Sequence, residues 1–274
     1  GLDPVEVRRR NFIQPDQYPY QSPSHLVYDS GNYPEAMNRA MAAINYEQFR
    51  AEQAKAREQG RYLGLGISCY VELCGAAPSA LLPWGGWESA TVRVELSGKV
   101  TVLTGISPHG QGTETSFAQI VADQVGVAVQ DVQVIHGDTD RIHQGIGTFG
   151  SRAMAVGGSA LMNAGIKLRE KASQVAAAML EASADDIEFA NGRYQVKGAP
   201  ARSLTLKEIG AKAYYPVGLP REIEPGLEAQ AYYEPVNFTF PFGVHCAFVE
   251  VDPETGKVTL QRFVLVDDAG RVVN

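Results

Sequence analysis

Residues 107–115 read Ser-Pro-His-Gly-Gln-Gly-Thr-Glu-Thr and join a strand-like hairpin directly to an amphipathic helix. A helix that begins at about Gly112 leaves its first backbone N–H groups without carbonyls a turn behind them. Those donors and the positive end of the helix dipole favour an anion, and Gly110 and Gly112 let a ligand come close to the main chain. Gln111 between them carries an amide that both donates and accepts hydrogen bonds. The helix is supported by Phe117, Ile120, Val121 and Val125 on one face, with Glu114, Gln119 and Asp123 between them. Two readings of the loop stand: a cradle for phosphate, or a tight turn whose glycines permit helix-on-sheet packing.

A second segment of the same kind is Gly145-Ile146-Gly147-Thr148-Phe149-Gly150-Ser151-Arg152, which follows a strand over residues 132–136 and opens another helix. Two such termini could hold the phosphates of one dinucleotide. Ser151 is suited to cap its helix or to bind phosphate, and Thr148 offers a hydroxyl. Arg152 is either a source of charge-assisted hydrogen bonds or a solvated surface charge. The helix expected from Ser151 to about Ser183 begins with Ala153, Ala155, Gly157, Gly158, Ser159 and Ala160, small residues that allow close approach to another backbone.

With 274 residues, 45% of them hydrophobic and 20% charged, the chain can bury a sizeable core as one large domain or two lobes. A net charge of -7 and the lack of Lys/Arg runs interleaved with aromatics argue against a nucleic-acid surface. No apolar run reaches the roughly 18 residues of a spanning helix, and Gly1-Leu2-Asp3-Pro4 is not a signal peptide, so a cytoplasmic location is expected. The sequence is expected to be part of a longer chain. Cys69, Cys74 and Cys246 lack Cys-x-x-Cys spacing and read as buried free thiols rather than a disulfide framework or zinc site.

Along the chain, Asp3-Pro4 opens a helix, residues 13–32 read as an extended connector, and Pro34 starts a helix with Met37, Ala40, Met41 and Ile44 on its apolar face. Residues 51–60 are charged and expected in solvent, and residues 64–71 resemble a buried strand. The stretch 75–86, with Pro78, Pro83 and Trp84, is a loop long enough to be functional. Glu72 beside it is either a pocket carboxylate or a surface one. Residues 90–96 and 99–104 alternate as a hairpin. Asn191-Gly192 marks a second two-residue hairpin turn, and Thr205 with Glu208 makes a capping box for a helix ending near Tyr214.

The chain also echoes itself. Residues 90–95 and 99–102 recur as residues 247–252 and 257–260, each pair closing with Gly-Lys and with an acidic residue, Glu95 or Asp252, ending the first strand. Each second strand leads into a glycine-containing loop. The expectation is an α+β fold of duplicated hairpin-plus-helix units, with residues 1–60 a helical and connector segment and residues 61–274 a lobe holding both units. Coincidence between two ordinary hairpins is the competing reading.

Six ordered motifs carry a family resemblance: Arg8-Arg9-Arg10-Asn11-Phe12-Ile13, Tyr28-Asp29-Ser30-Gly31-Asn32-Tyr33, Gly110-Gln111-Gly112, Gly137-Asp138-Thr139-Asp140, Gly147-Thr148-Phe149-Gly150-Ser151-Arg152, and Asp267-Asp268-Ala269-Gly270 ahead of Asn274. With them, the chain resembles the molybdopterin-binding large subunits of the xanthine dehydrogenase and aldehyde oxidase family over nearly its whole length. Residues 224–229 and 232–243 are most similar to the aerobic carbon monoxide dehydrogenase branch. The resemblance implies part of a molybdenum cofactor-binding domain in a hydroxylase that oxidises a small substrate (carbon monoxide, an aldehyde or an N-heterocycle) with oxygen from water. It implies a molybdenum–molybdopterin dinucleotide in this chain, with iron–sulfur and FAD centres on partner subunits or domains of an oligomer. It places Gln111 toward the metal's oxo side, with Gly110 and Gly112 giving it room. Thr115, Thr148, Phe149, Gly150 and Ser151 would bind the dinucleotide, and Asp268 would lie near it. His109 is either turned toward the metal's surroundings or a solvated loop histidine.

The family's catalytic glutamate is expected beyond Asn274, so no catalytic residue and no metal ligand is assigned here, and the fragment alone is expected to be inactive. Ala269 stands where carbon monoxide dehydrogenases usually have cysteine. The alternatives are a non-catalytic nucleotide- or phosphate-binding module and an assembly lobe for the iron–sulfur and flavin partners. No nucleophile-elbow pentapeptide or His-Glu-x-x-His helix points to a hydrolase.

Overall fold

Asp3 caps the first helix, Pro4–Asn11: its carboxylate accepts the N–H groups of Val5 and Glu6 at 2.8 and 3.1 Å, and Pro4 fills the first position, where no N–H is needed. Asn32 does the same for helix Tyr33–Ile44, accepting from Glu35 N–H at 3.2 Å. Asn45, left-handed at φ 51°, ends that helix and begins the next, Tyr46–Glu58. The computed structural model describes residues 1–82 and 85–272, so Pro83 and Trp84 of the long loop, and Val273 and Asn274, lie outside the described residues.

Residues 1–74 and 239–272 form one unit. Its sheet is antiparallel, in the order Val258–Asp268, Phe242–Val251, Tyr62–Val71. Alternation sends Phe242, Val244, Cys246 and Phe248 to one face, where they are buried with Met37, Ala40, Met41, Ile44 and Phe49 of the helices. Each large apolar side chain so buried contributes about 1.5–3 kcal/mol relative to exposure. The connector over 13–32 contains a small ribbon, Tyr20–Gln21 paired with Val27–Tyr28. Strand Tyr62–Val71 alternates between half-buried and exposed rather than being buried throughout, because helices cover one face of the sheet. Burial pushes the Cys69 and Cys246 thiols up; Cys246 is buried as expected, whereas Cys69 and Cys74 are half-buried.

Residues 75–238 form the other unit. Its main sheet runs Glu228–Tyr233, Glu88–Val94, Val100–Thr104, Val132–Ile135. The first two pairings are antiparallel and the last is parallel, with helix Thr113–Val125 making the crossover. Beneath lie Val92, Val102, Phe117, Val121, Leu161, Leu168 and Tyr194, all fully buried. Strands Ile187–Ala190 and Arg193–Val196 turn at Asn191-Gly192, whose φ values of 52° and 71° only such residues adopt readily. The capping box of Thr205 and Glu208 opens helix Leu206–Tyr214, as its residue types require.

The α+β class therefore holds, with two differences in arrangement. Residues 1–60 do not stand apart from residues 61–274; they pack with strands Tyr62–Val71, Phe242–Val251 and Val258–Asp268, which need a helical cover. The echoed hairpins consequently fall in different units. The long helix also starts differently: a wide π turn, Ala153–Gly158, precedes the α-helix Ser159–Leu180.

Candidate functional site

Strands Val100–Thr104 and Val132–Ile135 are parallel, so both carboxyl ends emerge at the same edge of the sheet. Open α/β sheets bind ligands outside such ends. Here Gly105 and Ser107, Gly137 and Asp138, and Gly145 and Gly147 line a cavity of about 270 Å³. The chain segments meet closely behind it. A Cβ on Gly105 would overlap the Gly145 Cα and come within 2.5 Å of the Gln144 carbonyl oxygen, so two backbones lie where one side chain would not fit.

The first glycine loop leaves its helix start free. Gly112 precedes helix Thr113–Val125 at φ 78°, no side chain caps it, and the first carbonyl to be used is that of Gly112, by Ser116 N–H at 3.1 Å. The amides of residues 113–115 thus have no carbonyl a turn behind them. Gly110, at φ 110°, and Gly112 have open space where a Cβ would stand. Gln111 is exposed, and its Oε1 accepts His109 N–H at 2.6 Å, which folds the loop onto itself. Thr115 is exposed on the first turn. Beside it, Glu114 accepts from His136 Nε2 at 2.7 Å, tying the helix start to the end of the parallel strand.

The two glycine loops meet. His109 Nε2 donates to the Thr148 carbonyl at 3.3 Å. Thr148 is half-buried, and its Oγ1 is a buried oxygen with no hydrogen-bond partner in the chain. Phe149 and Gly150 are exposed. Gly150 and Ser151 use their carbonyls to accept Ala76 and Gly75 N–H groups, each at 3.1 Å, so the 75–86 loop backs the second glycine loop.

Two expectations are corrected here. Ser151 is not a helix cap; it takes a left-handed φ of 51°, and Arg152 precedes the π turn without a side-chain cap. Arg152 itself is neither solvated nor free for phosphate. It is fully buried, paired with Glu88, and bonded to the carbonyls of Ala76, Gly86 and Gly147. Burial pushes the Glu88 carboxyl up, against the pull of the Arg152 guanidinium. A signal for this pair exists in the sequence: Glu88 shares its register with Ala90, Val92 and Val94, the inward face, where a carboxylate demands a buried partner. Asp268 belongs to the other unit, at the end of strand Val258–Asp268, where its Oδ1 accepts Gly270 N–H at 2.8 Å. Glu72 is exposed.

An uncapped helix start, two open glycines and an unpartnered threonine hydroxyl gathered by one loop-to-loop contact make a donor set for an extended anion.

Comparison with known proteins identifies the family. The profile described as molybdopterin cofactor-binding domain matches residues 39–274. The carbon monoxide dehydrogenase large chain of Afipia carboxidovorans is 40% identical, over 100% of this chain and 35% of that protein. The nicotine 6-hydroxylase large subunit of Paenarthrobacter nicotinovorans is 33% identical, over 100% and 34%. Among solved structures, CO dehydrogenase from Oligotropha carboxidovorans superimposes with a TM-score of 0.88 at 40% identity, covering 98% of this chain and 34% of that one. Quinoline 2-oxidoreductase from Pseudomonas putida 86 gives 0.86 at 36% identity, covering 98% and 35%. The chain therefore spans about 35% of the length of the relatives it matches.

Proposed function

The chain belongs to the molybdopterin cofactor-binding domain family, and on that premise we propose that it is part of a molybdenum hydroxylase large subunit whose 75–238 unit holds the phosphates of a molybdopterin dinucleotide between its two glycine loops. The contact of His109 with the Thr148 carbonyl carries this reading, because it joins the loop that leads into the uncapped helix Thr113–Val125 to the second glycine loop, where the Thr148 Oγ1 has no partner. Gly110 and Gly112 admit the ligand to the backbone. The amides of Thr113, Glu114 and Thr115 donate to it, as do Gln111 through its amide and Thr115, Thr148 and Ser151 through their hydroxyls. Phe149 and Gly150 shape the rim, and Asp268 is assigned to the cofactor on the family resemblance.

When bound, the molybdenum centre would supply two-electron oxidation of a small substrate (carbon monoxide, an aldehyde or an N-heterocycle) with oxygen from water. This chain's residues bind and orient. Glu114 is bonded to His136 Nε2 at 2.7 Å, and no glycine-loop side chain is assigned to proton transfer. Iron–sulfur and FAD partners take the electrons in an oligomeric cytoplasmic enzyme. Among the described residues no helix is long and apolar enough to cross a membrane.

The test is elemental and nucleotide analysis of the full-length protein purified with its partners. Molybdenum and an acid-released nucleotide are expected in equal amounts per chain. A Gly110→Val/Gly112→Val variant should lose most of both while keeping its circular dichroism spectrum. Gln111→Ala should lower turnover with the fold intact. A protein carrying nucleotide without molybdenum, or a double valine variant that keeps both, would overturn the assignment.

A further inference from the structure

The second glycine loop is organised by a buried ion pair that takes no part in the proposed binding. Arg152 and Glu88 are both fully buried, and the guanidinium spends its donors inward. Nε donates to the Ala76 carbonyl at 2.9 Å, Nη2 to the Gly86 carbonyl at 2.6 Å, and Nη1 to the Gly147 carbonyl at 2.9 Å as well as to Glu88 Oε1. The Arg152 Cζ also sits 5.3 Å from the centre of the Phe149 ring. Glu88 Oε1 accepts Ile146 N–H at 3.3 Å. Its Oε2 is buried without a partner, and a Cβ on Gly105 would come within 2.5 Å of it. One ion pair thus touches residues 146, 147 and 149 of the second loop, both ends of the 75–86 loop that backs it, and the base of the first loop.

Such a pair is a poor way to gain stability. Two charges taken from water lose more hydration than a well-packed apolar pair would, and apolar replacements of buried pairs are often neutral or stabilising. What the pair supplies is geometry: a rigid planar fork that fixes three carbonyls from separate segments, which a lysine cannot reproduce. We infer that Glu88 and Arg152 are positioning residues that set residues 146–151 in their cofactor-holding shape without touching the cofactor. This rests on the function proposed above.

Three measurements on the full-length protein test it. In Glu88→Met/Arg152→Met, charges are removed together and volume is kept. The thermal midpoint should fall, because the carbonyls of Ala76, Gly86 and Gly147 lose their donors, and in the variant that remains folded molybdenum and nucleotide per chain should fall roughly tenfold. Arg152→Lys keeps the charge but not the fork and should fall by less, with the remaining cofactor showing an altered visible circular dichroism band. Undiminished cofactor in either folded variant overturns the inference. If neither variant folds, amide exchange on the wild type stripped of cofactor decides. Slow exchange at Ile146 and Ala76 is expected, and exchange as fast as in an open loop overturns the role. Wild-type protein without molybdenum or nucleotide would instead overturn the proposed function, leaving the exchange measurement to judge the positioning on its own.

Discussion

The hairpin of strands Glu88–Val94 and Val100–Thr104 and that of Phe242–Val251 and Val258–Asp268, one in each unit, close with the same chemistry. In the first, Glu95 N–H donates to the Lys99 carbonyl and Gly98 N–H to the Glu95 carbonyl, both at 2.8 Å; in the second, one residue longer, Asp252 N–H donates to the Lys257 carbonyl at 2.9 Å and Gly256 N–H to the Asp252 carbonyl at 2.8 Å. Gly98 and Gly256 both take positive φ, 87° and 70°. Beyond the turn they part. Val92, Val94, Val100 and Val102 are fully buried, whereas Val258, Leu260 and Leu265 are 60%, 59% and 53% exposed. The first hairpin runs on through a glycine loop into a crossover helix and gains a parallel neighbour. Among the described residues, the second forms two strands of a sheet covered by helices on one face. The turn decides that a hairpin forms, and in the first hairpin the segment leaving the second strand brings a cavity to its end.

The sharpest way to break this comparison is to add one methyl group to each sheet. Gly105→Ala, at the end of the first hairpin, forces a Cβ into the Gly145 backbone and should cost about 3 kcal/mol. Gly66→Ala, on the strand beside the second hairpin, meets nothing within 4 Å and should stay within about 0.5 kcal/mol. Urea unfolding midpoints measure both. Similar values for the two would mean that the closeness of Gly105 to Gly145 is not required. A smaller contrast is expected between the strands themselves. Val102→Ala should cost about 2 kcal/mol in lost burial and cavity, against less than about 0.5 for Leu260→Ala. Equal losses would show that the outer strand is covered in solution.

Much of this fold is legible from the residues, for reasons that also explain what is not. Local chemistry comes through: Asp3-Pro4, Asn191-Gly192 and Thr205 with Glu208 each fix a turn or cap within a few residues. The first glycine loop and its uncapped helix are legible in the same way. The partition of the chain is not, because residues 1–58 find their partner strand Phe242–Val251 almost two hundred positions away, and no local pattern encodes that distance. Arg152 stays ambiguous in the sequence because a guanidinium after a serine looks the same whether it faces solvent or a carboxylate. The clue lies at Glu88, on the inward register of its strand, and only pairing the two residues reveals it.

The smallest expected effect separates the units by pH. Each has a helix whose start is held by a carboxyl group kept below its usual range: Asp3 by the Tyr46 hydroxyl and the Glu6 and Val5 amides, Glu208 by the Thr205 amide and hydroxyl. A lowered carboxyl stabilises above its unfolded value of about 4, and that contribution is lost as pH falls through the folded value, so both helices should loosen in acid. Only Asp3 has a titrating partner. Tyr46 is pushed up to about 12 by burial and by its 2.7 Å bond to Asp3, so its contribution is complete below about pH 10 and disappears between about 10 and 12. Amide protection relative to an open chain should therefore fall at both extremes in helix Pro4–Asn11, and Tyr46→Phe should remove the alkaline limb and weaken the acid one, because the Tyr46 hydroxyl is the largest cause of the lowered Asp3 carboxyl. Helix Leu206–Tyr214 should show the acid limb only, with Thr205→Ala weakening it by about 1 kcal/mol at neutral pH. An alkaline limb of equal size in both helices, or one that survives Tyr46→Phe, would show that the Asp3–Tyr46 bond does not set this difference.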